Sequence, residues 1–413
     1  MHSRLRQTLL YLLGFAGILL VYSLLKRNQK LHLQPAPFAP EPARLYLRWQ
    51  NRSILGPIDL YTVVYGACAA NQVVISLKSM LYFQGRYRNS SSVCKTTINR
   101  PSSIVCRHQP PEAYRPVRLH WVVDADARNR ILSIFGEWQP ADIHIFLYEY
   151  ERYLPYVESI PTRRFASIAP LYKLLAPYIL PEEVKKIIAL DSDVLFNYNV
   201  LDLWREFGQF KLGQAFSAAC EQITFCPYSC PKEDLPFPAF GINTGVLLMD
   251  LAELRRINWW QLWRQEVLKE VTEYGNLPAG EQKVISQVMS KYNQLYRRLR
   301  CEWNIQIFRS DGMNCCPIQW VDRLPDETEC ISSPSHMRLR EQARLIHYTS
   351  RRKPEQCGPY TPSPLEFQAG LEEMSCCSRI VFTATAWMHS CSNPVDFSPT
   401  TSSQILPSLQ QVS

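Results

Sequence analysis

Alternating apolar and polar stretches along the chain predict an α/β domain that begins near residue 58. Apolar runs of strand length occur at 58–65, 117–123 and 143–148, and a helical apolar face containing Val73, Leu77 and Leu81 follows the first run. Apolar residues at helical spacing indicate a helix, and short apolar runs indicate buried strands. Strands that alternate with helices favour a mainly parallel sheet.

The same alternation continues through the second half of this region. A helical face around Leu174 precedes Pro181, and it is followed by predicted strands at 186–190, 245–250 and 344–347. A helix is predicted over 251–268, where Trp259 and Trp263 share one face because they are four residues apart. The catalytic-domain boundaries implied by the pattern are residues 58 and 356.

The segment before this domain has the composition of a membrane anchor and a stem. Residues 7–25 carry no charge and are long enough to cross a bilayer as a helix. No small-residue cleavage site follows them, which favours a retained signal anchor over a cleaved signal peptide. The prediction is a cytoplasmic tail at 1–6, a transmembrane anchor at 7–25 and a proline-rich stem at 26–57.

Cysteine content and glycosylation motifs place the bulk of the chain in an oxidising compartment. The chain has 14 cysteines and two Asn-x-Ser sequons, at Asn51 and Asn89. Both features are typical of secreted and lumenal proteins. The net charge of +8 would suit nucleic acid, but a lumenal protein does not meet nucleic acid. We therefore interpret the basic residues as solvated surface, with some left for phosphates or an acidic sugar.

Two further segments look irregular. Residues 84–116 are polar and form a predicted inserted loop, which a disulfide between Cys94 and Cys106 would close. Residues 357–413 form a predicted irregular tail. Four more cysteines are disulfide candidates near the end of the domain, namely Cys301, Cys315, Cys316 and Cys330.

The strongest chemical signal is the Asp191-Ser192-Asp193 run at the end of the predicted strand Lys186 to Leu190. Ligands of open α/β sheets collect outside the carboxyl ends of strands, and two nearby carboxylates can hold one divalent cation there. An aspartate-rich turn is the structural alternative, since turns favour Asp for local reasons.

Several motifs occur together in an order that resembles retaining glycosyltransferases of family eight. They are Ile160 to Phe165, Lys173, Leu190 to Asp193, Leu203-Trp204, Gly241 to Val246, Cys301 to Asn304 and His347 to Lys353. Within that family the resemblance is greatest to the xylosyltransferase domain of the LARGE glycosyltransferases, over roughly residues 58–356. It implies a GT-A (Rossmann-like) α/β fold with a mixed, mainly parallel central sheet, a UDP-sugar donor and Mn²⁺. It also implies a single-pass type II Golgi membrane protein with a lumenal catalytic domain.

The resemblance also implies roles for individual residues. Asp191, Asp193 and His347 would be the metal ligands, a carboxylate and imidazole set that suits Mn²⁺ better than Ca²⁺. Lys353 would reach the donor phosphates as a point charge. The other donor-binding positions would be Tyr65, which could equally be a core residue, Lys173 and Ser192.

Three residues match positions around the transferred sugar: Asn243, Glu281 and Gln282. The family has an Asp-Gln-Asp site where this chain has Glu281, Gln282 and Lys283. Lysine in place of the last acid reverses its charge, so we expect an altered donor preference or a reduced activity. Front-face attack, with Gln282 or Glu281 stabilising an oxocarbenium-like centre, is favoured over a covalent sugar on a carboxylate.

The function implied is transfer of xylose from UDP-xylose to a glycan or glycoprotein acceptor, by resemblance glucuronic acid on O-mannosyl glycans. Residues 357–413 are too few for the second, glucuronyl-transferring domain of LARGE proteins, so transfer of a single sugar is expected. One alternative is another family-eight α-xylosyl- or glucosyltransferase that acts on O-glucose glycans. Another is a catalytically inactive, glycan-binding protein.

Overall fold

The computed structural model describes the side chains of most residues in the expected catalytic domain. Its ranges are 56–84, 115–138, 143–162, 168–222, 237–238, 240–307, 316, 343–349 and 353, with the backbone alone at 43–46, 82 and 137. The expected anchor, most of the stem and inserted loop, and the tail lie outside these residues. Within the described ranges, no helix combines the length and the apolar character needed to span a bilayer.

The core of the protein is a mixed eight-stranded sheet. Its strands are β1 (Ala43–Tyr46), β2 (Ile58–Val64), β3 (Val117–Val123), β4 (Ile143–Glu149), β5 (Lys186–Leu190), β7 (Phe216–Cys220), β8 (Ile242–Asp250) and β9 (Tyr296–Arg298), in the spatial order β1-β4-β3-β2-β5-β8-β7-β9. Strands β4, β3, β2 and β5 are parallel, whereas β8 runs antiparallel to both β5 and β7. A three-stranded sheet, ordered β10-β11-β6, is formed by β6 (Val194–Phe196), β10 (Ile305–Gln306) and β11 (Leu345–His347).

Helices cover both faces of the large sheet. They are α1 (Gly66–Phe83), α2 (Ala125–Glu137), α3 (Tyr150–Tyr153), α4 (Tyr172–Ile179), α5 (Val200–Arg205), α6 (Leu251–Arg256), α7 (Trp259–Tyr274) and α8 (Gly280–Lys291). One apolar cluster joins α1, α2 and α5 to one face of the sheet, and a second joins α4, α6, α7 and α8 to the other. Because both faces are covered, the inner strands are almost wholly apolar, as in β5.

The α/β class and most predicted strands are confirmed. The sheet is mixed, as expected, because β8 enters antiparallel beside β5. Two other details of the prediction were wrong. Strand β8 begins at Ile242, so Asn243 lies within the strand and not before it. The single helix predicted over 251–268 is two helices, since Asn258 adopts a left-handed conformation (φ 55°) between α6 and α7. Asparagine tolerates that conformation better than most residues.

Disulfides occur in the region where the sequence predicted them. Cys301 is bonded to Cys316. Cys220, which the sequence did not single out, is disulfide-bonded as well. The proposed pairing of Cys94 with Cys106 lies outside the described residues.

Candidate active site

Three strand ends bring polar side chains to one edge of the large sheet. Strands β5 and β7 both run antiparallel to β8, so their carboxyl ends meet the beginning of β8. Asp191 follows β5, Glu221 follows β7, and Asn243 is the second residue of β8. The topology therefore collects these side chains where ligands of α/β sheets usually bind.

Pairing of β11 with β6 adds His347 to this edge. In that pairing His347 lies opposite Val194, and the Tyr348 backbone N–H donates to the Asp193 carbonyl at 3.0 Å. The Nε2 atom of His347 is 3.3 Å from Asp191 Oδ2 and 3.3 Å from Asp193 Oδ1. One ligand atom from each of the three residues lies within 4.8 Å of the others. The predicted triad therefore converges, although His347 is 154 residues from Asp193 in the sequence.

The donor set fits a divalent transition metal. Two carboxylates and one imidazole suit Mn²⁺ and similar ions. Asp193 Oδ1 is buried, and its one charge partner among the described residues is His347 Nε2 at 3.3 Å, so this oxygen needs a cation beside it when that nitrogen is unprotonated. Asp191, Asp193 and His347 are thus the residues that would hold the metal.

The three ligands also stabilise one another's charged forms. Burial alone would lower the pKa of His347, but the charge of Asp193 and hydrogen bonds to both aspartates raise it to about 9. Burial would raise the pKa of Asp193, and the His347 charge outweighs this effect and lowers it. The aspartates are therefore ionised at neutral pH, as metal ligands must be, whereas His347 must release the proton on Nε2 when it binds a metal.

Gly245 makes room for the imidazole. A Cβ atom at this position would lie 2.1 Å from Cε1, 2.2 Å from Nδ1 and 2.8 Å from Nε2 of His347. Only glycine therefore allows the ring to approach β8 this closely. The last glycine of the Gly-Ile-Asn-Thr-Gly run is explained by this contact.

Lys173 lies inside the site and is almost fully buried. Its ammonium contacts Asp191 Oδ1 at 2.5 Å, the Thr244 carbonyl at 2.9 Å and Glu281 Oε1 at 3.2 Å. Burial would lower the pKa of Lys173, but the negative charges of Asp191 and Glu281 raise it well above the ordinary value. Lys173 thus links a metal ligand to an acid at the start of α8, and it remains charged.

Lys353 lies on the other side of the metal ligands. Its ammonium donates to Asp193 Oδ2 and, at 2.5 Å, to the Tyr348 carbonyl. The side chain is 29% exposed, so unlike Lys173 it borders solvent. This position suits a cation that contacts an incoming phosphate next to the metal.

A second polar cluster extends from α8 toward the end of β7. The Thr244 hydroxyl donates to Glu281 Oε1 at 2.9 Å, and its backbone N–H donates to Gln282 Oε1 at 3.2 Å. The Gln282 amide donates in turn to Glu221 Oε2 at 2.5 Å. Desolvation raises the pKa of Glu221, although its hydrogen bonds oppose this.

Asn243 connects this cluster to the metal triad. Its Nδ2 donates to Glu221 Oε2 at 3.1 Å, and its Oδ1 is 3.1 Å from His347 Nδ1. The same Oδ1 accepts from the Gly245 backbone N–H at 3.0 Å and from Asn304 Nδ2 at 2.9 Å. Asn243 is therefore held beneath His347 by contacts at both atoms of its amide.

The remaining predicted site residues lie at the same edge. Tyr65 follows β2 and is 55% exposed, with its ring centroid 4.9 Å from that of Tyr150, which stacks on Tyr172 at 4.3 Å. The Ser192 hydroxyl donates to Gln72 Oε1 at 2.5 Å and so ties the metal-binding turn to α1.

Lys283 points away from this arrangement. Its ammonium lies 3.9 Å from Glu270 Oε1, a buried carboxylate of α7. The lysine that replaces the family's acid thus faces the neighbouring helix, whereas Glu281 and Gln282 face the site. The charge reversal noted in the sequence falls outside the ligand set.

Sequence reasoning missed Glu221 and assigned no role to Asn304. The strand before Glu221, Phe216–Cys220, was not predicted, although an acid at the end of an apolar run was the available signal. Asn304 was noted only as part of a motif. Its contact with Asn243, 61 residues away, has no local signature.

The chain is similar to known glycosyltransferases along part of their length. It is 32% identical over 194 residues to Xylosyl- and glucuronyltransferase LARGE2 of Homo sapiens, which is 46% of this chain and 27% of the relative. It is 31% identical over 209 residues to the Rattus norvegicus protein of the same name, 50% of this chain and 30% of the relative. The chain therefore spans less than a third of the curated relatives that it matches.

Solved structures give weaker likenesses. The apo form of mouse xyloside xylosyltransferase 1 superposes with a TM-score of 0.47 and 16% identity, covering 74% of this chain and 100% of that one. The galactosyltransferase LgtC, in complex with donor and acceptor sugar analogues, gives a TM-score of 0.45 and 13% identity, covering 77% of this chain and 96% of the other.

A family model decides the classification. The mixed central sheet, with acids at its strand ends, is the GT-A-like arrangement that the sequence resemblance implies. The model described as Glycosyl transferase family 8 matches residues 69–354, which is more than half of the chain. This chain therefore belongs to glycosyl transferase family 8.

Proposed function

We propose that this protein is a retaining, Mn²⁺-dependent glycosyltransferase that transfers xylose from UDP-xylose to a glycan or glycoprotein acceptor. The observation that carries the proposal is the convergence of Asp191, Asp193 and His347 on one point at the sheet edge, with the Lys353 ammonium beside them. A UDP-sugar needs both a cation site for its diphosphate and a neighbouring sugar site. The polar cluster of Glu221, Asn243 and Gln282 lies next to the triad, and we assign the sugar site to it.

A bound divalent ion supplies positive charge that neutralises the diphosphate as it leaves the sugar. In the transfer, the bond from sugar C1 to the diphosphate oxygen breaks and a bond from C1 to the acceptor oxygen forms. The acceptor's proton passes to the departing phosphate oxygen. We assign Lys353 to that phosphate, because a partly exposed ammonium beside Asp193 can turn toward an incoming anion.

The sugar is assigned to the groups at the beginning of α8 and β8. Gln282 or Glu281 would stabilise positive charge at C1, and Asn243 would contact the sugar from the Nδ2 side of its amide. Lys173 would act on the donor through Asp191 and Glu281, since its ammonium already contacts both. Tyr65 would stack on uracil, because its ring is exposed at the end of β2. Ser192 would support donor binding from the metal-binding turn.

Two observations support xylose as the sugar. The motif spacing resembles the xylosyltransferase domain of LARGE proteins, and the curated relatives at about 30% identity are named xylosyl- and glucuronyltransferases. The proposed acceptor is glucuronic acid on an O-mannosyl glycan. The alternative of an inactive glycan-binding protein rested on Lys283 and on the atypical tail. Lys283 lies 3.9 Å from Glu270 and outside the ligand set, and the tail lies outside the described residues.

The proposed location is the Golgi membrane, with a single type II anchor at residues 7–25 and a lumenal catalytic domain. The disulfide between Cys301 and Cys316 supports an oxidising compartment. Nucleic acid is not among the proposed partners.

The test is a donor panel with the purified full-length chain. UDP release is measured with UDP-xylose, UDP-glucose, UDP-galactose and UDP-glucuronic acid, with Mn²⁺ and after chelation. We expect release from UDP-xylose that requires metal and is lost in Asp193→Ala but kept in Asp202→Ala, a surface acid of α5 paired with Arg205. Preference for UDP-glucose or UDP-galactose would reject the xylose assignment. Metal-independent release would reject the proposed centre.

A further inference from the structure

We infer that Asn304 is a positioning residue of the metal centre, which acts through Asn243 to hold His347 in the tautomer that presents Nε2 to the metal. The inference rests on the metal site of the proposed function. Nothing in the family resemblance assigns this role to Asn304. It follows from three contacts that converge on the side-chain oxygen of Asn243.

The first step fixes the orientation of the Asn243 amide. The Gly245 backbone N–H lies 3.0 Å from one terminal atom of this amide. A backbone N–H can only donate, so the atom facing it must be the oxygen, Oδ1. The Asn243 Nδ2 then faces the Glu221 carboxylate at 3.1 Å, which can only accept when ionised. The contacts of the oxygen and of the nitrogen are thus both satisfied by the same orientation of the Asn243 amide.

The second step fixes the proton on His347. Its Nδ1 lies 3.1 Å from Asn243 Oδ1, which is an acceptor, so Nδ1 must carry a proton to form this hydrogen bond. In the neutral imidazole the lone pair is then on Nε2, which lies 3.3 Å from an oxygen of each aspartate. A ring nitrogen must be unprotonated to bind a metal, and the partner of the other nitrogen decides which one is free.

The third step shows what holds Asn243 in place. Asn304 is completely buried, and its Nδ2 donates to Asn243 Oδ1 at 2.9 Å. The Asn304 backbone N–H donates to the Cys301 carbonyl at 2.9 Å, and its carbonyl accepts from Gln222 Nε2 at 3.1 Å. Cys301 is itself anchored by its disulfide to Cys316. Asn304 is therefore held in place by its backbone contacts, and its side chain fixes the Asn243 oxygen that accepts from His347.

An aspartate at position 304 provides a sharp test. Asn304→Asp preserves the shape of the side chain but replaces the donating Nδ2 with an oxygen facing Asn243 Oδ1. The repulsion would turn or displace the Asn243 amide and remove the acceptor from His347 Nδ1. The removal of partners of this kind commonly lowers metal affinity by about 10- to 100-fold.

Two measurements on the full-length protein check the inference. Titration calorimetry with Mn²⁺ alone gives the dissociation constant. NMR of ¹⁵N-labelled histidine rings in the metal-free protein, above the pKa of His347, gives the tautomer of the neutral ring, with the His347 signals identified by their loss in His347→Ala. For Asn304→Asp we expect a dissociation constant raised by about 10- to 100-fold and loss of the pure Nδ1–H tautomer. Asn199→Asp is the matched control, because Asn199 is a buried asparagine that caps α5 and an aspartate can accept the same bond from Leu201. It should bind Mn²⁺ like the wild type.

The outcomes separate this inference from the proposed function. If the wild type does not bind Mn²⁺, the proposed metal centre is wrong. If the wild type binds and Asn304→Asp keeps the same dissociation constant and tautomer, only the role of Asn304 is refuted. If Asn304→Asp does not fold, Asn304→Ala replaces it with the same two measurements, since alanine also removes the donor without adding a charge.

Discussion

Substitution of Gly245 by alanine tests whether the His347 ring packs against β8 as closely as the structure indicates. The added Cβ would lie 2.1 Å from the nearest ring atom of His347, so the ring must move by more than about 1 Å to regain ordinary van der Waals separation. Metal–ligand distances tolerate changes of only about 0.2 Å. A displaced His347 can no longer bind the same ion as Asp191 and Asp193.

The expected effects follow from that displacement. Misplacing a catalytic group by about 1 Å can reduce the rate by about 100-fold, and loss of an imidazole ligand should weaken Mn²⁺ binding by at least the 10- to 100-fold typical of outer-shell changes. Overpacking of this kind costs about 1–3 kcal/mol in the free energy of unfolding. UDP release, Mn²⁺ titration calorimetry and urea unfolding measure the three quantities. Gly136→Ala is the control, since a Cβ there meets no atom of the described residues within 4 Å.

A double variant identifies the clash as the cause. In His347→Ala the ring is gone, so Gly245→Ala should cost almost nothing in that background, and the two substitutions should be strongly non-additive. An equal cost of Gly245→Ala with and without the imidazole would refute the reasoning. So would wild-type Mn²⁺ affinity in Gly245→Ala.

Three further variants test the charges around the site. Lys173→Met leaves two acids in the site without their cation, so the free energy of unfolding in urea should fall by about 3–5 kcal/mol, and a loss below about 1 kcal/mol would contradict the buried ion pairs. Lys283→Met should lower stability but leave kcat/KM for the UDP-sugar unchanged, because the Lys283 ammonium contacts Glu270. A large drop in kcat/KM would show instead that Lys283 acts in the site. Burial lowers the pKa of Lys78 to about 8, so between pH 8 and 10 the unfolded chain binds more protons and stability rises with pH. The stability advantage of Lys78→Met over the wild type should therefore shrink by about 2–3 kcal/mol across that range in urea titrations, and a constant difference would contradict the lowered pKa.

Local sequence patterns were sufficient for most of the fold. Strand β3 has the predicted bounds, and β5 ends one residue before Asp191 as expected, because short apolar runs in a sheet covered on both faces leave a clear signal. The break between α6 and α7 was missed because the apolar face continues across it to Trp259 and Trp263. Whether β8 runs parallel or antiparallel depends on a tertiary connection that a local pattern does not carry.

The sequence predicted which residue types form the site, but not which way each side chain points. Glu281 and Lys283 are two residues apart on α8, so they lie on different faces of the helix. The structure turns Glu281 toward Lys173 and Lys283 toward Glu270. A sequence without coordinates does not say which of these faces meets the site. From the sequence, Lys283 was therefore expected to disturb the reaction centre. In the structure its side chain points away from that centre.

The acids of the site fall into two groups, and the difference between them bears on their roles. Charges and hydrogen bonds lower the pKa of Asp191 and Asp193 despite their burial, whereas desolvation raises the pKa of Glu221. Environments that push carboxyl pKa values apart commonly mark different chemical tasks. The two aspartates stay ionised for a cation, with Lys173 and Lys353 on either side. Among the described residues, the side-chain donors to the Glu221 carboxylate are the amides of Asn243 and Gln282. These neutral amide donors support the proposal that a hydroxyl-bearing sugar binds here, next to a diphosphate that the metal ion would hold.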